Sequence, residues 1–342
     1  MNIERAEPLT AARGGDQGAF ESLVEPYRHE LLVHCYRFFG SLEDGEDMLQ
    51  ETLLRAWRRL DSYEGRASFR AWLYKIATNV CLDALDRQRA RSLPNLAGEP
   101  SEPEQPLPAP VLDPVWLEPL PDSLLGVLAE AGAGDPESLY ETRESVSLAF
   151  LAVLQQLPGR QRAVLILRDV LGFSASETAQ ILDVSVAAVT SALQRARATM
   201  QATRARRGRQ RARPADAGVA ELLARYVRAW EMADSAGLVS LLREDAVLSM
   251  PPTPAWFRGR ADIAAFLEAV PFAGQAAGRF KLLATHANGA PAFAVYQRDE
   301  AGAYRPAALN ILVVDGDRIA EMHDFLSLDT RGFERFGLPA TA

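Results

Sequence analysis

The chain has 342 residues, of which 48% are hydrophobic and 24% charged, and its formal net charge is −8. This length allows two or three domains with ordinary cores, and no stretch approaches the roughly 18 apolar residues that a membrane-spanning helix needs. The first residues contain no apolar segment of the secretory type, so we expect a cytoplasmic protein with no membrane partner. Cys35 and Cys81 form no CxxC pattern, which favours buried thiols over a metal site.

The net charge conceals a strong segregation along the chain. Residues 145–213 hold 11 arginines and 3 acids, whereas residues 93–144 hold one arginine and 11 acids. The stretch from Arg66 to Arg91 is also basic, and residues 214–342 are mildly acidic. Because basic segments attract phosphate through counterion release, two nucleic-acid-binding segments are predicted on either side of an acidic linker.

The first domain, residues 13–92, is predicted to be helical. In GAFESLVEPYRHELLVHCYRFFG the apolar residues recur at helical spacing. Gly40 ends this helix, and Ser41 is placed to cap the next one, which has acids early and arginines late. The segment SFRAWLYKIATNVCLDALDRQRAR is predicted to form a third long helix with one broad apolar face.

The linker, residues 93–136, is acidic and rich in proline, which excludes a continuous helix. It contains one apolar island, VWLEPLPD, which indicates a contact with folded protein. Two interpretations stay open at this stage: the island folds onto its own domain, or it clamps another one. The residues that would make this interdomain contact are Trp116, Leu117 and Pro119.

Residues 137–213 are predicted to be a helical domain that ends in a helix-turn-helix. Ser174 and Glu177 fit a capping box, Asp183 lies at the turn, and Ser185 is placed to cap the second helix. This second helix should present its first turns to base edges in the major groove, with arginines on phosphates. The DNA-binding candidates are Ser185, Thr190, Ser191, Gln194, Arg195 and Arg197.

Residues 219–335 are predicted to be an α+β domain. Two helices precede a strand and a further helix, and successive strands follow. Turns are predicted at Asn288–Gly289, Ala301–Gly302 and Asp315–Gly316. The order of these elements indicates helices packed on an antiparallel sheet.

Two stretches together resemble the extracytoplasmic-function (ECF) sigma factors. DGEDMLQETLLRAWRRLDSYEGRASFRAWLYKIATNVCLDALDRQRAR resembles region 2 of that family, and LPGRQRAVLILRDVLGFSASETAQILDVSVAAVTSALQRARATM resembles region 4. The resemblance implies a factor that binds core RNA polymerase and directs promoter recognition and melting. The implied fold is two all-α domains, a region 2 helical bundle and a region 4 helix-turn-helix.

The resemblance also implies roles for particular residues. Asp47, Gln50 and Glu51 would bind the clamp helices of the polymerase β′ subunit. The −10 promoter element would meet Trp72, Asn79, Asp83 and Arg87, and region 4 would read the −35 element and contact the β flap. This chain departs from the family at Thr190 and Ala192, where ECF recognition helices often carry lysine or arginine.

The C-terminal part resembles the cone-shaped SnoaL-like domain that some ECF factors carry, whose fold is similar to nuclear transport factor 2 and ketosteroid isomerase. The resemblance implies a domain that modulates sigma activity, with a small-molecule ligand as a possible partner. Residues that could line its pocket or simply pack are Asp245, Trp256, His286, Tyr296, Asn310 and His323. No spacing among them demands catalysis, so we expect no enzyme, no cofactor and no metal.

Two other functions compete with the sigma factor. The first is a one-component helix-turn-helix transcription regulator with a ligand-binding C-terminal domain. The second is a cone-fold isomerase or hydrolase with a DNA-binding arm. The region 2 resemblance discriminates, because an ordinary regulator has no use for DGEDMLQETLLRAW followed by SFRAWLYKIATNV.

Overall fold

The computed structural model describes residues 6–85, 90–111, 116–125, 141–206, 216–274, 276–326 and 330–342. Three of the expectations above lie outside these ranges: the role of Arg87, the start of the apolar island at Val115, and the arginine-rich end, residues 207–213, of the basic segment 145–213. The chain divides into two compact units. The first unit joins residues 1–91 to 124–208, and the second joins residues 92–123 to 209–342.

The first unit is helical in its described parts. Its helices are α1 (Ala6–Arg13), α2 (Gln17–Val24), α3 (Arg28–Phe39), α4 (Leu42–Arg58) and α5 (Phe69–Leu85) and, after the short linker helix α6 (Pro94–Ala97), α7 (Leu148–Leu154), α8 (Gly159–Leu165), α9 (Ala175–Leu182) and α10 (Val186–Arg206). The predicted caps between α3 and α4 are confirmed, since Gly40 adopts a left-handed φ of 66° and the Ser41 hydroxyl accepts from the backbone N–H of Asp44. The predicted first helix is instead two helices, because a short 3₁₀ segment that contains Pro26 separates α2 from α3.

The α3 helix is the centre of the first unit, and its residues from Leu31 to Phe39 are all buried. Its polar side chains are therefore hydrogen-bonded: His34 contacts Thr78 of α5 at 3.0 Å, and Arg37 donates to the backbone carbonyl and hydroxyl of Ser145. Both cysteines are buried free thiols, as predicted. The arginine contact ties the N-terminal helices to the segment that leads into α7.

A second buried arginine joins the two halves of the first unit. Arg162 of α8 donates hydrogen bonds to the backbone carbonyl of Phe38 and to that of Gln155. Burial lowers its pKa to about 10, which leaves the guanidinium charged at neutral pH. Charged groups this deep persist only where hydrogen bonds replace water, so these contacts fix how the two halves pack.

The second unit contains a six-stranded sheet in the order β2-β1-β6-β5-β4-β3. Its elements are α11 (Asp216–Glu231), α12 (Ser235–Ser240), β1 (Leu242–Ser249), β2 (Trp256–Arg258), α13 (Arg260–Ala269), β3 (Phe280–Ala287), β4 (Ala290–Arg298), β5 (Tyr304–Asp315), β6 (Arg318–Phe325) and α14 (Thr330–Arg335). The α+β architecture is confirmed, but the expectation of a purely antiparallel sheet is wrong. β6 lies between β1 and β5 and pairs in parallel with β1 but antiparallel with β5.

The two faces of this sheet pack against different parts of the domain. One face packs on the helices in a large apolar core that contains Tyr226, Trp230, Phe293 and Leu312. The other face carries a smaller cluster around Tyr296, against which α14 packs Phe333. Neighbouring residues of a strand therefore point to different surroundings.

Within the second unit, the linker packs on the C-terminal domain along much of its described length. The backbone N–H of Ser101 donates to Trp256 at 2.7 Å, and that of Val111 donates to Pro252 at 2.9 Å. Its last described part bonds to the β3–β4 turn, where Leu120 exchanges hydrogen bonds with Asn288. The apolar island was expected either to fold onto its own domain or to clamp another one. In these contacts its described part packs on the C-terminal domain.

Within the described residues, no helix is both long and apolar enough to cross a membrane.

Candidate nucleic-acid and protein interfaces

The helix-turn-helix is built by the local signals that the sequence contains. The Ser174 hydroxyl accepts from the Glu177 backbone at 3.1 Å, and the Glu177 carboxylate accepts from the Ser174 backbone at 2.8 Å. Asp183 ends α9 in the left-handed conformation, with φ 51°, and the Ser185 hydroxyl accepts from the Ala188 backbone at the start of α10. These caps aim the first turns of α10 away from the core.

The exposed face of α10 carries most of the predicted DNA-binding residues. Thr190, Gln194 and Arg195 are exposed, while Ser191 is half-buried and accepts a hydrogen bond from Arg195 at 2.7 Å. Ser185 is exposed, and its hydroxyl accepts the capping bond while keeping its own proton to donate. Ala192, where the family often has a cation, is buried in this chain.

Arg197 is exposed but already paired. Its guanidinium donates to both carboxylate oxygens of Asp169, at 2.7 and 2.9 Å. Hydrogen bonds to Asp169 raise the pKa of Arg197. A pair with two hydrogen bonds fixes the direction of the side chain. Arg197 is therefore less free than the neighbouring Arg195 to reach a phosphate.

The described candidates for the −10 element lie along α5. Trp72 is half-buried and packs on Phe69 and Tyr63, each with ring centroids 5.4 Å away. Asn79 is half-buried, whereas Asp83 is exposed and accepts a hydrogen bond from Arg55 at 2.9 Å. The aromatic cluster around Trp72 presents a partly open ring surface, and the two polar residues follow one helical face.

Candidates for the two promoter elements border one cleft of the first unit. This cleft has a volume of about 780 Å³, and Asn79, Asp83 and Arg195 all line it. Elsewhere between the two halves of the first unit, Lys75 of α5 forms an ion pair with Asp183 at 2.6 Å. The structure thus brings Asn79 and Asp83 of α5 to the same cleft as Arg195 of α10.

A second concave surface lies on the other side of α4, between this helix and α2. Its volume is about 650 Å³, and its lining is mostly apolar. The apolar lining residues are Phe20, Val24, Leu49, Leu53, Leu54 and Trp57. We call this surface the α2/α4 groove.

The predicted polymerase-binding residues have different positions relative to the α2/α4 groove. Gln50 lines it, and the adjacent acid Glu46 is exposed at its rim. Asp47 is exposed on α4, while Glu51 is half-buried and paired with Arg55 at 2.6 Å. Of the three predicted residues only Gln50 lines the groove, and sequence reasoning did not name its apolar lining, although Leu49, Leu53 and Trp57 follow each other at four-residue spacing.

The predicted interdomain residues of the linker are buried. Trp116 donates its indole N–H to the Pro252 carbonyl at 2.9 Å, and Leu117 bonds through its backbone N–H to Ser92. Pro119 is buried beside them. Trp116 therefore fastens the linker to the loop between β1 and β2.

The six residues that could line a pocket in the C-terminal domain or simply pack do not converge on one place. Asp245 and His286 are exposed, and Tyr296 donates to Pro339 on the sheet face that α14 covers. The Trp256 indole donates to the linker carbonyl of Gly98. Only Asn310 points into the large apolar core, where it contacts Tyr226.

His323 belongs to a separate hydrogen-bonded chain. Its Nδ1 contacts the Ser249 hydroxyl at 2.7 Å, and its Nε2 contacts Glu321 at 2.9 Å. Ser249 and His323 are fully buried neighbours on β1 and β6. Among the residues that the structure describes, no cluster of three histidine, cysteine or acidic side chains could hold a metal ion.

Comparison with known proteins assigns each part of the chain. Residues 23–91 match the model of Sigma-70 region 2, residues 147–200 match Sigma-70 region 4, and residues 223–322 match the SnoaL-like domain. The chain is 42% identical to the ECF RNA polymerase sigma factor SigG of Mycobacterium tuberculosis, over 94% of this chain and 85% of that protein. It is 29% identical to SigW of Bacillus subtilis, over 59% of this chain and 97% of that protein.

Among solved structures, the ECF sigma factor SigJ of Mycobacterium tuberculosis has the same fold, with a TM-score of 0.59 over 93% of this chain and 99% of that one at 22% identity. Both sigma regions and the SnoaL-like domain are present in one chain, and the similarity to SigG extends across them. The protein therefore belongs to the ECF sigma factors, which bind core RNA polymerase and direct transcription initiation at promoters.

Proposed function

We propose that this sigma factor binds core polymerase through the α2/α4 groove and that its C-terminal domain modulates promoter recognition by fastening the linker. The observation that carries the first part is the groove itself. It is an exposed apolar surface whose polar lining consists of acidic and amide residues and Arg28, in the part of region 2 where the family resemblance places polymerase contacts. The role of this sigma factor is binding rather than catalysis, and the protein acts with the polymerase in the cytoplasm.

The groove is suited to bind a helical partner that carries basic residues beside its apolar face. Leu54 is 43% exposed at its edge, and the rings of Phe20 and Trp57 meet edge to face at 5.0 Å at its base. An amphipathic helix inserts apolar side chains into such a surface, while Asp47 and Gln50 offer polar contacts beside it. The β′ clamp helices fit this description, and the β flap is left as the partner of region 4.

A single substitution tests the groove. Leu54→Asp places a charge where an apolar side chain would be buried on binding, and burial of a leucine contributes about 1.5–3 kcal/mol. We expect affinity for core polymerase to fall about tenfold or more, with run-off transcription falling in parallel. The measurement is titration of core polymerase against fluorescently labelled sigma factor.

Met232→Asp is the matched control, because Met232 is also apolar and is 61% exposed, but it lies in the C-terminal domain. Equal binding by the Leu54→Asp variant and the unaltered chain would remove the groove from the polymerase interface. Equal losses in both variants would point to a general effect of the added charge.

For DNA, we propose that α10 reads the −35 element with Thr190, Ser191 and Gln194, and that Arg195 and Arg197 contact phosphates. The proposed contacts to the −10 element are Trp72, Asn79, Asp83 and Arg87. Asn79 and Asp83 of the first set line the same cleft as Arg195 of the second, so in this proposal the first unit opens before each set reaches its own element. The closed arrangement is held by the Lys75–Asp183 ion pair and by the buried arginines of α3 and α8.

The linker supports the proposed role of the C-terminal domain. Region 2 and region 4 are joined by a segment that is bonded to that domain at Trp116, Leu120 and Asp122. A change in the domain that loosened these bonds would lengthen the free tether between the two DNA-binding regions. This is a means of modulation that requires no separate inhibitor protein.

A further inference from the structure

The cleft between α5, α8 and α10 of the first unit has a positively charged lining. Its volume is about 780 Å³, and three arginines line it: Arg160 and Arg162 of α8 and Arg195 of α10. The one acid in its described lining, Asp83, is already paired with Arg55 at 2.9 Å. We call this space the α5/α8/α10 cleft. The promoter contacts proposed above make no use of Arg160 or Arg162.

Arg162 is a buried cation without an acidic partner. It is 4% exposed, and its Nε has no hydrogen-bond partner. Its other hydrogen bonds within the described residues go to neutral oxygens, the backbone carbonyls of Phe38, Gln155 and Leu157 and the side-chain amide of Gln155. Buried charges are usually paired with an opposite charge. The wall of the cleft therefore contains a cation that a bound anion would neutralise.

Arg160 supplies an accessible cation in the same wall. It is exposed, it lies two positions before Arg162, and it makes no hydrogen bond or ion pair with the part of the chain that the structure describes. Asn79 and Gln161 add side-chain amides to the lining that are likewise free of such bonds. Arginines bind phosphate through two N–H groups at once, and amides both donate and accept hydrogen bonds.

The rest of the lining sets the size and shape of an occupant. A Cβ at Gly159 would lie 3.2 Å from the side chain of Leu85 and 3.3 Å from that of Leu82, so α5 and α8 are in close contact there. The apolar lining residues are Leu82, Leu85, Leu157, Val164, Leu182 and Val184. Clefts of about 300–1,000 Å³ hold molecules much larger than a bare phosphate ion. This cleft therefore fits an anion that also has an apolar body.

We propose that the α5/α8/α10 cleft binds a nucleoside diphosphate. The arginines bind its phosphates, the amides of Asn79 and Gln161 meet the donors and acceptors of its base, and the leucines and valines cover the flat faces of the base. Because such a ligand contacts helices from both halves of the first unit, it stabilises the closed arrangement. This effect on promoter recognition rests on the opening proposed above, whereas the binding itself does not.

Isothermal titration of the full-length chain with ADP and with GDP tests the binding, in the absence of polymerase and DNA. We expect one nucleotide to bind per chain, with an affinity at least about tenfold higher than that of pyrophosphate or of the free nucleoside. Equal binding of pyrophosphate would show a site for simple anions only, and equal binding of the nucleoside would show that the arginines take no part. Either result, or no binding of both nucleotides at about 1 mM, would overturn the proposal.

Two alanines in the first turn of α10 locate the ligand. Ala187 and Ala188 are both exposed, but only Ala188 lines the cleft. Ala188→Glu places a negative charge beside the bound phosphates, so we expect the nucleotide affinity to fall about tenfold or more. Ala187→Glu adds the same charge outside the cleft and should leave the affinity within about twofold of the unaltered chain. Equal losses in the two variants would place the ligand elsewhere.

Arg160 gives a second test, because it is free in the described structure and its removal leaves no group unpaired. Arg160→Ala should lower the nucleotide affinity about tenfold, the value of one hydrogen bond to a charged group, and Arg160→Lys should recover part of it. The matched control is Arg58→Ala, an exposed arginine of α4 that does not line the cleft. A thermal melt checks that each variant is folded. An unchanged affinity in Arg160→Ala would remove the cleft as the site.

The effect on promoter recognition is measured separately, by fluorescence anisotropy with promoter DNA. A saturating nucleotide should weaken DNA binding by the unaltered chain about fivefold, the low end of coupling between two sites. The same concentration should have little effect on the Arg160→Ala variant. If the nucleotide bound in the cleft and left the affinity for DNA unchanged, the binding site would stand, and the opening of the first unit would be the part that failed.

Discussion

His34 shows how strongly a single buried residue of the first unit depends on its surroundings. It is fully buried, contacts Thr78 at 3.0 Å and lies between two aromatic rings, those of Phe38 and Tyr74. Burial, followed by the charges of Arg37 and Arg70, lowers the pKa of His34 to about 3. The imidazole is therefore neutral in the folded protein at every pH at which transcription proceeds.

This residue gives the first unit a predictable sensitivity to acid. In the unfolded chain a histidine has a pKa of about 6.5. Below that pH the unfolded state therefore binds a proton that the folded state does not bind. Stability is then fully present above pH 6.5 and should fall as pH decreases, by at most about 1.4 kcal/mol per pH unit from this group. The measurement is urea unfolding of the full-length chain between pH 7 and 5, above the range where carboxylates dominate.

The control is His34→Gln, which cannot titrate but can still bond to Thr78. The difference in unfolding free energy between the two proteins should change with pH in that interval. A constant difference would mean that His34 takes up its proton in the folded state.

Sequence reasoning left open whether six residues of the C-terminal domain line a pocket or simply pack, for a physical reason. Alternate residues of a strand face opposite sides of a sheet, so a shift of one position moves a side chain from the core to the other face. His323 and Asp324 illustrate this: the first bonds to Ser249 outside the helix-packed core, while the second joins Asn310 within it. The sequence contained Asp324 and Tyr226, but no local signal shows that they meet.

At the scale of secondary structure, helix ends were more predictable than strand partners. The capping box of Ser174 and Glu177 and the turn at Asp183 depend on residues within a few positions of one another. The parallel pairing of β1 with β6 depends on residues about 75 positions apart, such as Ser249 and His323. Nothing in the alternation of either strand specifies its neighbour.

The recognition helix α10 carries two arginines that should contribute unequally to DNA binding. Arg195 is tied only to the neutral Ser191 in the described structure, whereas Arg197 is held by two hydrogen bonds to Asp169. Release of Arg197 toward a phosphate would leave that carboxylate without its partner. Arg195 therefore has the lower cost of engaging DNA.

We expect Arg195→Ala to weaken promoter binding and to reduce the slope of log affinity against log salt by about 0.9, the value for one phosphate contact. Arg197→Ala should reduce the slope by less, and Asp169→Asn should increase it by freeing Arg197. Fluorescence anisotropy with promoter DNA at several salt concentrations measures all three. Arg305→Ala, in the C-terminal domain, is the control, and an unchanged slope for Arg195→Ala would separate that side chain from the DNA.

At the scale of the whole molecule, the two promoter elements lie far apart, whereas the two predicted DNA-binding regions lie close together in the closed first unit. Elements named −10 and −35 lie about 25 base pairs apart, or about 85 Å along the duplex. In the structure, α5 and the turn before α10 are joined by an ion pair of 2.6 Å. We therefore propose that the first unit opens during initiation.

The linker determines how far the two regions can move apart. The segment from 92 to 123 that belongs to the second unit contains 32 residues, and 32 extended residues span at most about 105–115 Å. While Trp116 is bonded to Pro252 and Leu120 to Asn288, that reach is not available. We propose that a fastened linker limits this separation and that its release favours it.

Release of the linker should consequently favour promoters that require both elements. Trp116→Ala removes the bond to Pro252, and Asn288→Gly removes the side-chain bond to Leu120 while tolerating the φ of 54° at that position. In the double variant we expect run-off transcription from a promoter with both elements to rise about three- to tenfold, the value of one or two hydrogen bonds. Transcription from a template with a scrambled −35 element should stay unchanged, because a single contact does not stretch the linker.

Tyr304→Phe is the control for this experiment, since it removes a hydrogen bond to Gly278 within the same domain and far along the chain from the linker contacts. Limited proteolysis should cut the linker faster in the double variant than in the control. If the linker became accessible to protease and the two templates still responded alike, tethering would not be the route by which the C-terminal domain acts. The domain would then have to act on the polymerase or the DNA directly.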